Sequence, residues 1–388
     1  MVILFWVLSG LAFMGMLGCL AAVLRVRMHC RPVDEIDRNT LPSVSMLVPI
    51  KGADDHTAAH LTALVESDCD FPVEFLFAME TQADPAYEIC RGVQQAHPER
   101  EVHILLTGAA NGRMGKQHNL AGAVKQAKYE VIGAMDADVC PEPDTLRRGV
   151  LELQRTGGGT VFSLPYYSGT GRAGGLLVAL YTNYYFSLYI GSLAAGELTP
   201  LTIGSMWWTT RSVLDKIGGF ERFTGTVSDD AAIGKAVAEA GMRNVLSRKP
   251  VKLAFEPLSP AGGFRHLQKW VAMLRAEGLG RYLSIALTWH FVSLALLAAG
   301  AGWLAQRPLG LAVLAASILV RVGSVLALNG TVYRGLRRTR FALAVIGYEL
   351  VVVPVLFGIG LFKRSLIWRG RKYVIGSQGR IEVSGEDR

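Results

Sequence analysis

Two aspartates with one residue between them close an apolar run in residues 129–138, where Val-Ile-Gly-Ala-Met is followed by Asp136-Ala137-Asp138. Such a step offers hard oxygen ligands, the kind that hold Mg2+ or Mn2+ together with the phosphates of a substrate. The five apolar residues show no helical period and suit a strand buried on both faces of a parallel sheet. Ligands of open α/β sheets bind just beyond the carboxyl ends of strands, so this step marks a candidate metal site. Taken alone, the same pair could also form a solvated turn.

Other groups in the chain could join it. Another apolar run ends in Val48-Pro49-Ile50-Lys51-Gly52, where Gly52 permits close backbone approach and Lys51 could meet a phosphate or a base. Asp84-Pro85 is an ordinary helix start and also a carboxylate just past a strand. Gly112-Arg-Met-Gly115-Lys116-Gln117-His118-Asn119 opens a helix with Lys116 and Asn119 one turn apart. It differs from a phosphate-binding P-loop, with Ala at 110 for Gly and Gln at 117 for the hydroxyl that holds magnesium, which argues against a nucleoside triphosphatase. No GxGxxG follows a strand, which argues against a dinucleotide enzyme. Ser228-Asp229-Asp230 places two carboxylates at a helix start, where the dipole favours their ionised form and one could act as general base. His266-Leu-Gln-Lys269-Trp270 precedes an apolar block and could be either an interface anchor or part of a site.

The elements that must position these residues alternate. Strand patterns at 43–49, 73–79, 102–106, 131–135 and 160–164 are separated by helical patterns at 57–67, 85–96, 117–128 and 143–154. That alternation predicts βαβ units and a mostly parallel sheet over residues 41–276. Around it the chain is apolar. Residues 2–24 form an N-terminal anchor within segment 1–25 and 284–304 and 309–328 form two spans, while 341–362 is a third apolar block. Crossing parity, with the body inside, puts the basic tail 366–388 outside if all of these cross. Its charge says inside, so Pro354 is expected to make the last block of 279–365 a re-entrant or broken helix. Residues 174–195, apolar and rich in Tyr, are either an interfacial helix or a buried core one. Arg321, inside a span, must face protein or a polar cavity.

The net charge of +8 lies largely beside the apolar blocks (Arg25, Arg27, Arg31; Arg334, Arg337, Arg338, Arg340; Lys363, Arg364, Arg369, Arg371, Lys372). A membrane surface, not nucleic acid, is the partner this predicts. Five scattered cysteines, with no CxxC, indicate neither a disulfide framework nor a zinc site. A cytoplasmic catalytic domain on a multi-pass membrane protein follows, and Arg, Ala and Gly usage favours a bacterial inner membrane over a Golgi one.

The ordered pattern resembles the membrane-bound family 2/21-type glycosyltransferases, most closely the ceramide glucosyltransferase family and its bacterial hopanoid glycosyltransferase relatives. The matching positions are Lys51-Gly52, Asp84, Lys116 to Asn119, Asp136-Ala-Asp138, Asp230, and the tail Trp368-Arg369-Gly370-Arg371-Lys372-Tyr373. The family's (Q/R)xxRW motif is here His266-x-x-Lys269-Trp270. The resemblance implies a GT-A fold (Rossmann-like, nucleotide-sugar-binding) with transmembrane helices. It implies inverting transfer of a sugar, glucose by preference, from a UDP-sugar to a membrane lipid hydroxyl such as that of ceramide or a hopanoid. Pro49, Lys51, Gly52, Asp84, Lys116, Asn119 and Asp136 would bind the donor, and Asp136 and Asp138 would hold Mg2+ or Mn2+. Asp230, beside Asp229, would be the base, and His266, Lys269 and Trp270 would border diphosphate and acceptor. A processive polysaccharide synthase or polyprenyl-phosphate glycosyltransferase of the same fold, and an inactive lipid-binding scaffold, are the alternatives.

Overall fold

Short runs of Val, Ile, Leu, Phe and Met bounded by polar or Gly residues form a seven-stranded sheet in the computed structural model. The structure describes residues 1–31, 41–169, 171–196, 200–254, 257–333, 338–368, 371–376 and 379–383. Arg334, Arg337, Arg369 and Gly370 fall outside them. The strands are β1 (Val44–Pro49), β2 (Val73–Met79), β3 (Glu101–Leu106), β4 (Val131–Met135), β5 (Thr160–Phe162), β6 (Met206–Thr210) and β7 (Asn244–Leu246). Their order is β3-β2-β1-β4-β6-β5-β7. The pairs β1–β2, β1–β4 and β2–β3 are parallel, with Leu47 opposite both Leu76 and Ala134. The carboxyl ends of these four strands therefore share one edge.

The sheet is mixed, where the alternation of elements predicts a mostly parallel one. β6 runs antiparallel to both β4 and β5. Its Met-Trp-Trp-Thr-Thr sequence earns the central place through packing. Trp208 is 1% exposed, and a Cβ added at Gly133 of β4 or at Gly149 would lie 2.7 Å or 2.1 Å from its indole. Glycines on a strand and a helix leave the room that the ring fills.

The chain divides into two units. The sheet belongs to Pro32–Pro165, Glu197–Ala254 and Ile367–Arg388. The other unit takes Met1–Arg31, Tyr166–Gly196 and Phe255–Leu366, so the span 41–276 that the sequence pattern treats as one body is shared between them. In the sheet unit the tail strands Arg371–Ile375 and Ile381–Val383 pair antiparallel. The tail then fastens to the loop before Asp229, with Val227 N donating to Gly379 O at 2.9 Å and Ile381 N to Gly225 O at 3.0 Å.

Among the described residues, the other unit holds four helices long and apolar enough to cross a membrane: Val2–His29, Leu279–Leu304, Leu309–Thr331 and Arg340–Phe362. Small residues let their backbones approach, as interfaces between membrane helices require. A Cβ at Gly15 would lie 2.3 Å from Leu287 O. Residues 174–195 are a core element, helical over Ala173–Tyr181 and Ser187–Ala195 with a π-helical Thr182–Phe186 between. Tyr181, Tyr184 and Tyr185 are each 1% exposed.

The expected reversal at Pro354 is not found. Helix runs over Arg338–Gly347, widens to a π-turn at Tyr348–Val352, and continues over Val353–Phe362. Proline is tolerated there because it opens the segment that follows the widened turn. That π-turn carries Glu349 into the interior, where it pairs with Arg321, the two side chains being 0% and 1% exposed. Val292 N (2.7 Å) and Tyr185 OH (3.2 Å) donate to the same carboxylate, while Arg321 Nη2 donates to Thr288 O at 2.8 Å. Each charge is thus hydrogen-bonded on several sides, as burial demands. Glu349→Ala should cost about 3–5 kcal/mol, the penalty for a buried charge left without its partner. Thermal unfolding in detergent reads this, and an unchanged midpoint would refute the account.

Candidate active site

β1 and β2 end in a linked pair of acidic groups. Gly52 has φ +73, a left-handed conformation that favours glycine, and it follows directly on Lys51 beyond β1. Its N–H donates to both carboxylate oxygens of Asp84 at 3.0 Å. Asp84 Oδ1 also accepts from Ala86 N at 3.0 Å, at the start of the helix Ala86–Ala96. One carboxylate therefore both starts a helix and clamps the exit of β1. Lys51 Nζ lies 3.2 Å from Glu80 Oε1, and Glu80 Oε2 accepts from Ala110 N at 3.2 Å. Glu80 escaped the sequence reading, although it directly follows β2, the same topological position as Asp136.

The centre of the site is a chain of four residues joined by three contacts. Lys116 lies in the first turn of the helix Gly115–Gln126. Its Nζ is 2.6 Å from Asp136 Oδ1 and donates to Gly204 O at 2.9 Å. Gly204 N in turn donates to Asp230 Oδ2 at 3.0 Å. A Cβ at Gly204 would meet Lys116 Nζ at 2.8 Å, so the bare glycine leaves the room in which the ammonium sits. Nothing in the sequence marks this glycine, since its value lies in what approaches it. Asp136 N donates to Ser205 O at 2.9 Å, which holds the Asp136–Asp138 turn against the same strand exit.

The two acids that open the helix Asp229–Glu239 are distinguished by their partners. Asp229 is 5% exposed and accepts from the Gln117 side-chain amide. Gln117, which makes the motif unlike a P-loop, thus fixes Asp229 inside. Asp230 is less buried and accepts from Ala231 N at 2.9 Å as well as from Gly204. Asn119 sits beneath: its Nδ2 donates to Ile50 O at 3.2 Å and its Oδ1 accepts from Thr107 Oγ1 at 2.7 Å. It ties the exits of β1 and β3 together and is 2% exposed, so it shapes the floor on which Pro49 and Lys51 stand.

Crowded carboxylates set the electrostatics. Burial pushes Asp136 up to about 6 against the pull of Lys116, with the charges of Asp138 and Asp229 adding to the rise. Burial, then the neighbouring Asp229 charge, raises Asp230 to about 7. For Lys116 burial favours the neutral amine, but Asp136, Asp229 and Asp230 outweigh it and hold the ammonium protonated above its ordinary value. A surplus of carboxylate oxygen and negative charge of this kind suits a hard divalent cation.

His266, Lys269 and Trp270 lie on the helix Pro260–Ala276, which belongs to the other unit. There the Trp270 ring is 5.8 Å from both Tyr181 and Phe186 and 5.1 Å from His266. The structure gathers Lys51, Gly52, Asp84, Lys116, Asn119, Asp136, Asp229 and Asp230 in one unit, and places this aromatic group in the second.

The profile of Glycosyl transferase family 21 matches residues 10–381, so this chain belongs to that family. Among curated proteins it is 26% identical over 244 residues to ceramide glucosyltransferase 1 of Caenorhabditis elegans, covering 60% of this chain and 50% of the relative. It is 23% identical over 257 residues to ceramide glucosyltransferase 3 of the same organism, covering 64% and 53%. The chain thus spans about half the length of these curated relatives. A solved mannosyltransferase of Pyrobaculum calidifontis, in complex with GDP-Man and Mn2+, superposes with a TM-score of 0.52 at 20% identity, covering 89% of this chain and 99% of its own. That likeness shows the GT-A type of fold.

Gly204→Ala tests the central chain of contacts. The added methyl meets only the mobile end of Lys116 and the Asp230 side chain, so the protein should fold with a near-native melting temperature. Glycosyl transfer should fall about tenfold, because the ammonium is displaced while Asp230, at 3.4 and 3.6 Å from the new methyl, stays in ordinary contact. Native rates in this variant would show that Gly204 does not position the ammonium.

Proposed function

We propose that this family 21 protein moves a hexose, glucose by preference, from a UDP-sugar to a hydroxyl of a membrane lipid such as ceramide or a hopanoid, with inversion. The observation that carries the proposal is the Asp136–Lys116–Gly204–Asp230 chain, which sets a cation-binding carboxylate and a poised base on the two sides of one ammonium. The curated relatives are ceramide glucosyltransferases, which supports a lipid acceptor, and the apolar helices suit a substrate that stays in the bilayer. Pro49, Lys51, Gly52, Asp84 and Glu80 line the place for the nucleoside, at the ends of β1 and β2. Lys116 meets the diphosphate as a point charge. A Mg2+ or Mn2+ on Asp136 and Asp138 would neutralise the leaving diphosphate. Asp230 accepts the acceptor hydroxyl's proton as that oxygen attacks the anomeric carbon in line. Asp229, fixed by Gln117, raises the basicity of Asp230.

The tail strands hydrogen-bond to residues 225 and 227, so body and tail share one side of the bilayer, which we take as cytoplasmic. An even number of crossings must then separate them. We assign two crossings to Leu279–Leu304 and Leu309–Thr331; Arg340–Phe362, although a continuous helix long and apolar enough to cross, is then placed along the membrane surface. Single cysteines at Gln306 and Lys363, in a chain whose own cysteines are replaced, should label from opposite sides with an impermeant maleimide. Labelling of both from one side would exclude this arrangement.

The reaction itself is tested by UDP release from UDP-glucose, UDP-galactose or UDP-N-acetylglucosamine, with membrane lipids and with or without Mn2+ or Mg2+. Release should need both lipid and metal, and Asp230→Asn should lower it about 100–10,000-fold. Asp230 is protonated below its raised value and cannot then accept a proton. The rate should therefore rise with pH and level off, with its inflection at or below about 7 because a bound cation lowers that value further. A polymeric product would favour a synthase, and no release with any pairing would favour the scaffold.

A further inference from the structure

We infer that Lys116 is a tethered counter-ion which keeps the divalent cation off the Asp136–Asp138 step until the donor diphosphate draws its ammonium away, so that cation and nucleotide enter together. This rests on the site assigned under the proposed function and adds an order of binding to it.

The argument is one of shared ligands. Lys116 Nζ is 2.6 Å from Asp136 Oδ1, a direct contact on an oxygen that a magnesium ion would approach to about 2.1 Å. The two cations compete for one carboxylate, and neither screens the other across so short a gap. The ammonium is also well seated. It donates to Gly204 O at 2.9 Å, it lies among Asp136, Asp229 and Asp230, and its side chain is only 20% exposed. A hydrated metal ion alone must displace that charge and lose part of its own water. A diphosphate changes the balance, since it offers Lys116 another anion within reach of a flexible four-carbon stem and frees the Asp136 oxygen as it does so. The backbone of Lys116 need not move, because it is fixed in the first turn of the helix Gly115–Gln126. Lys116 thus trades one anion for another, and the metal follows.

Mn2+ binding to the detergent-solubilised full chain, measured by electron paramagnetic resonance with and without UDP, tests this. The wild-type protein should bind Mn2+ weakly alone and at least about tenfold more tightly with UDP, the scale set by moving a unit charge a few ångström from the ion. Lys116→Gln should bind Mn2+ alone about tenfold more tightly than wild type, and UDP, whose phosphates still ligate the ion, should add less than it does in the wild-type protein. Lys116→Met, which also removes the charge, gives the same result if the Gln variant fails to fold, and Lys116→Arg should stay near wild type. Unchanged or weaker Mn2+ binding in both neutral variants overturns the counter-ion. Asp136→Asn separates the two levels of the argument. If it abolishes Mn2+ binding while the neutral variants do nothing, only the counter-ion is wrong; if it has no effect, the metal site itself is misplaced.

Discussion

Like charges brought together out of water must be balanced, and that constraint organises this molecule. Four carboxylates, Asp136, Asp138, Asp229 and Asp230, belong to one corner of the sheet unit, and each step of the surrounding structure reduces their repulsion. Lys116 supplies a positive charge to Asp136. Backbone N–H groups of Gly204 and Ala231 point at Asp230, and the Gln117 amide points at Asp229. The compensation is partial, which is why Asp136 and Asp230 hold their protons more tightly than ordinary carboxylates. A fully neutralised cluster would be more stable and would have no use for a cation. Catalytic sites keep such residual strain because the reaction uses it.

The same physics recurs in the apolar unit with the opposite outcome. Arg321 and Glu349 are buried more deeply, yet Val292 N and Tyr185 OH donate to the carboxylate and Thr288 O accepts from the guanidinium. The guanidinium also lies over the rings of Phe291 and Tyr185, at 4.4 Å and 4.7 Å. A pair so completely satisfied leaves nothing for a ligand to complete. It fixes the register of helices that have little hydrophobic reason to choose one another in a lipid environment.

Legibility followed how local the cause was. β2 and β4 were readable to the residue, since an apolar run bounded by polar residues needs no partner to declare itself. The positions of Asp84, Lys116, Asp136 and Asp230 were readable because they lie at strand ends and helix starts, which local sequence declares. Gly204, Glu80 and the role of Gln117 were not, because each matters through a neighbour at 26 or more positions' remove in the chain. Met206–Thr210 was passed over as a strand because its place depends on Gly133 and Gly149 leaving space for Trp208. Continuous helix through Pro354 was hidden for a related reason: the π-turn before it is held by Arg321, 28 residues earlier in sequence than Glu349.

The position of the cluster follows from topology. β1 is flanked by β2 on one side and β4 on the other, so the chain leaves β1 in one direction and returns on its far side. Connections from adjacent strands diverge at that point and open a crevice at the strand ends. Asp136 stands at one lip of it and Lys51 at the other. The antiparallel β6 closes the crevice from the β4 side, and the turn before it brings Gly204 between Lys116 and Asp230. The tail completes the same corner: its bonds to Gly225 and Val227 hold the loop that ends in Ser228 and the two acids. That is a physical reason for a motif so far along the chain to accompany the aspartates. Asp229 and Asp230 open a helix, and the tail holds the loop that leads into it through Gly225 and Val227.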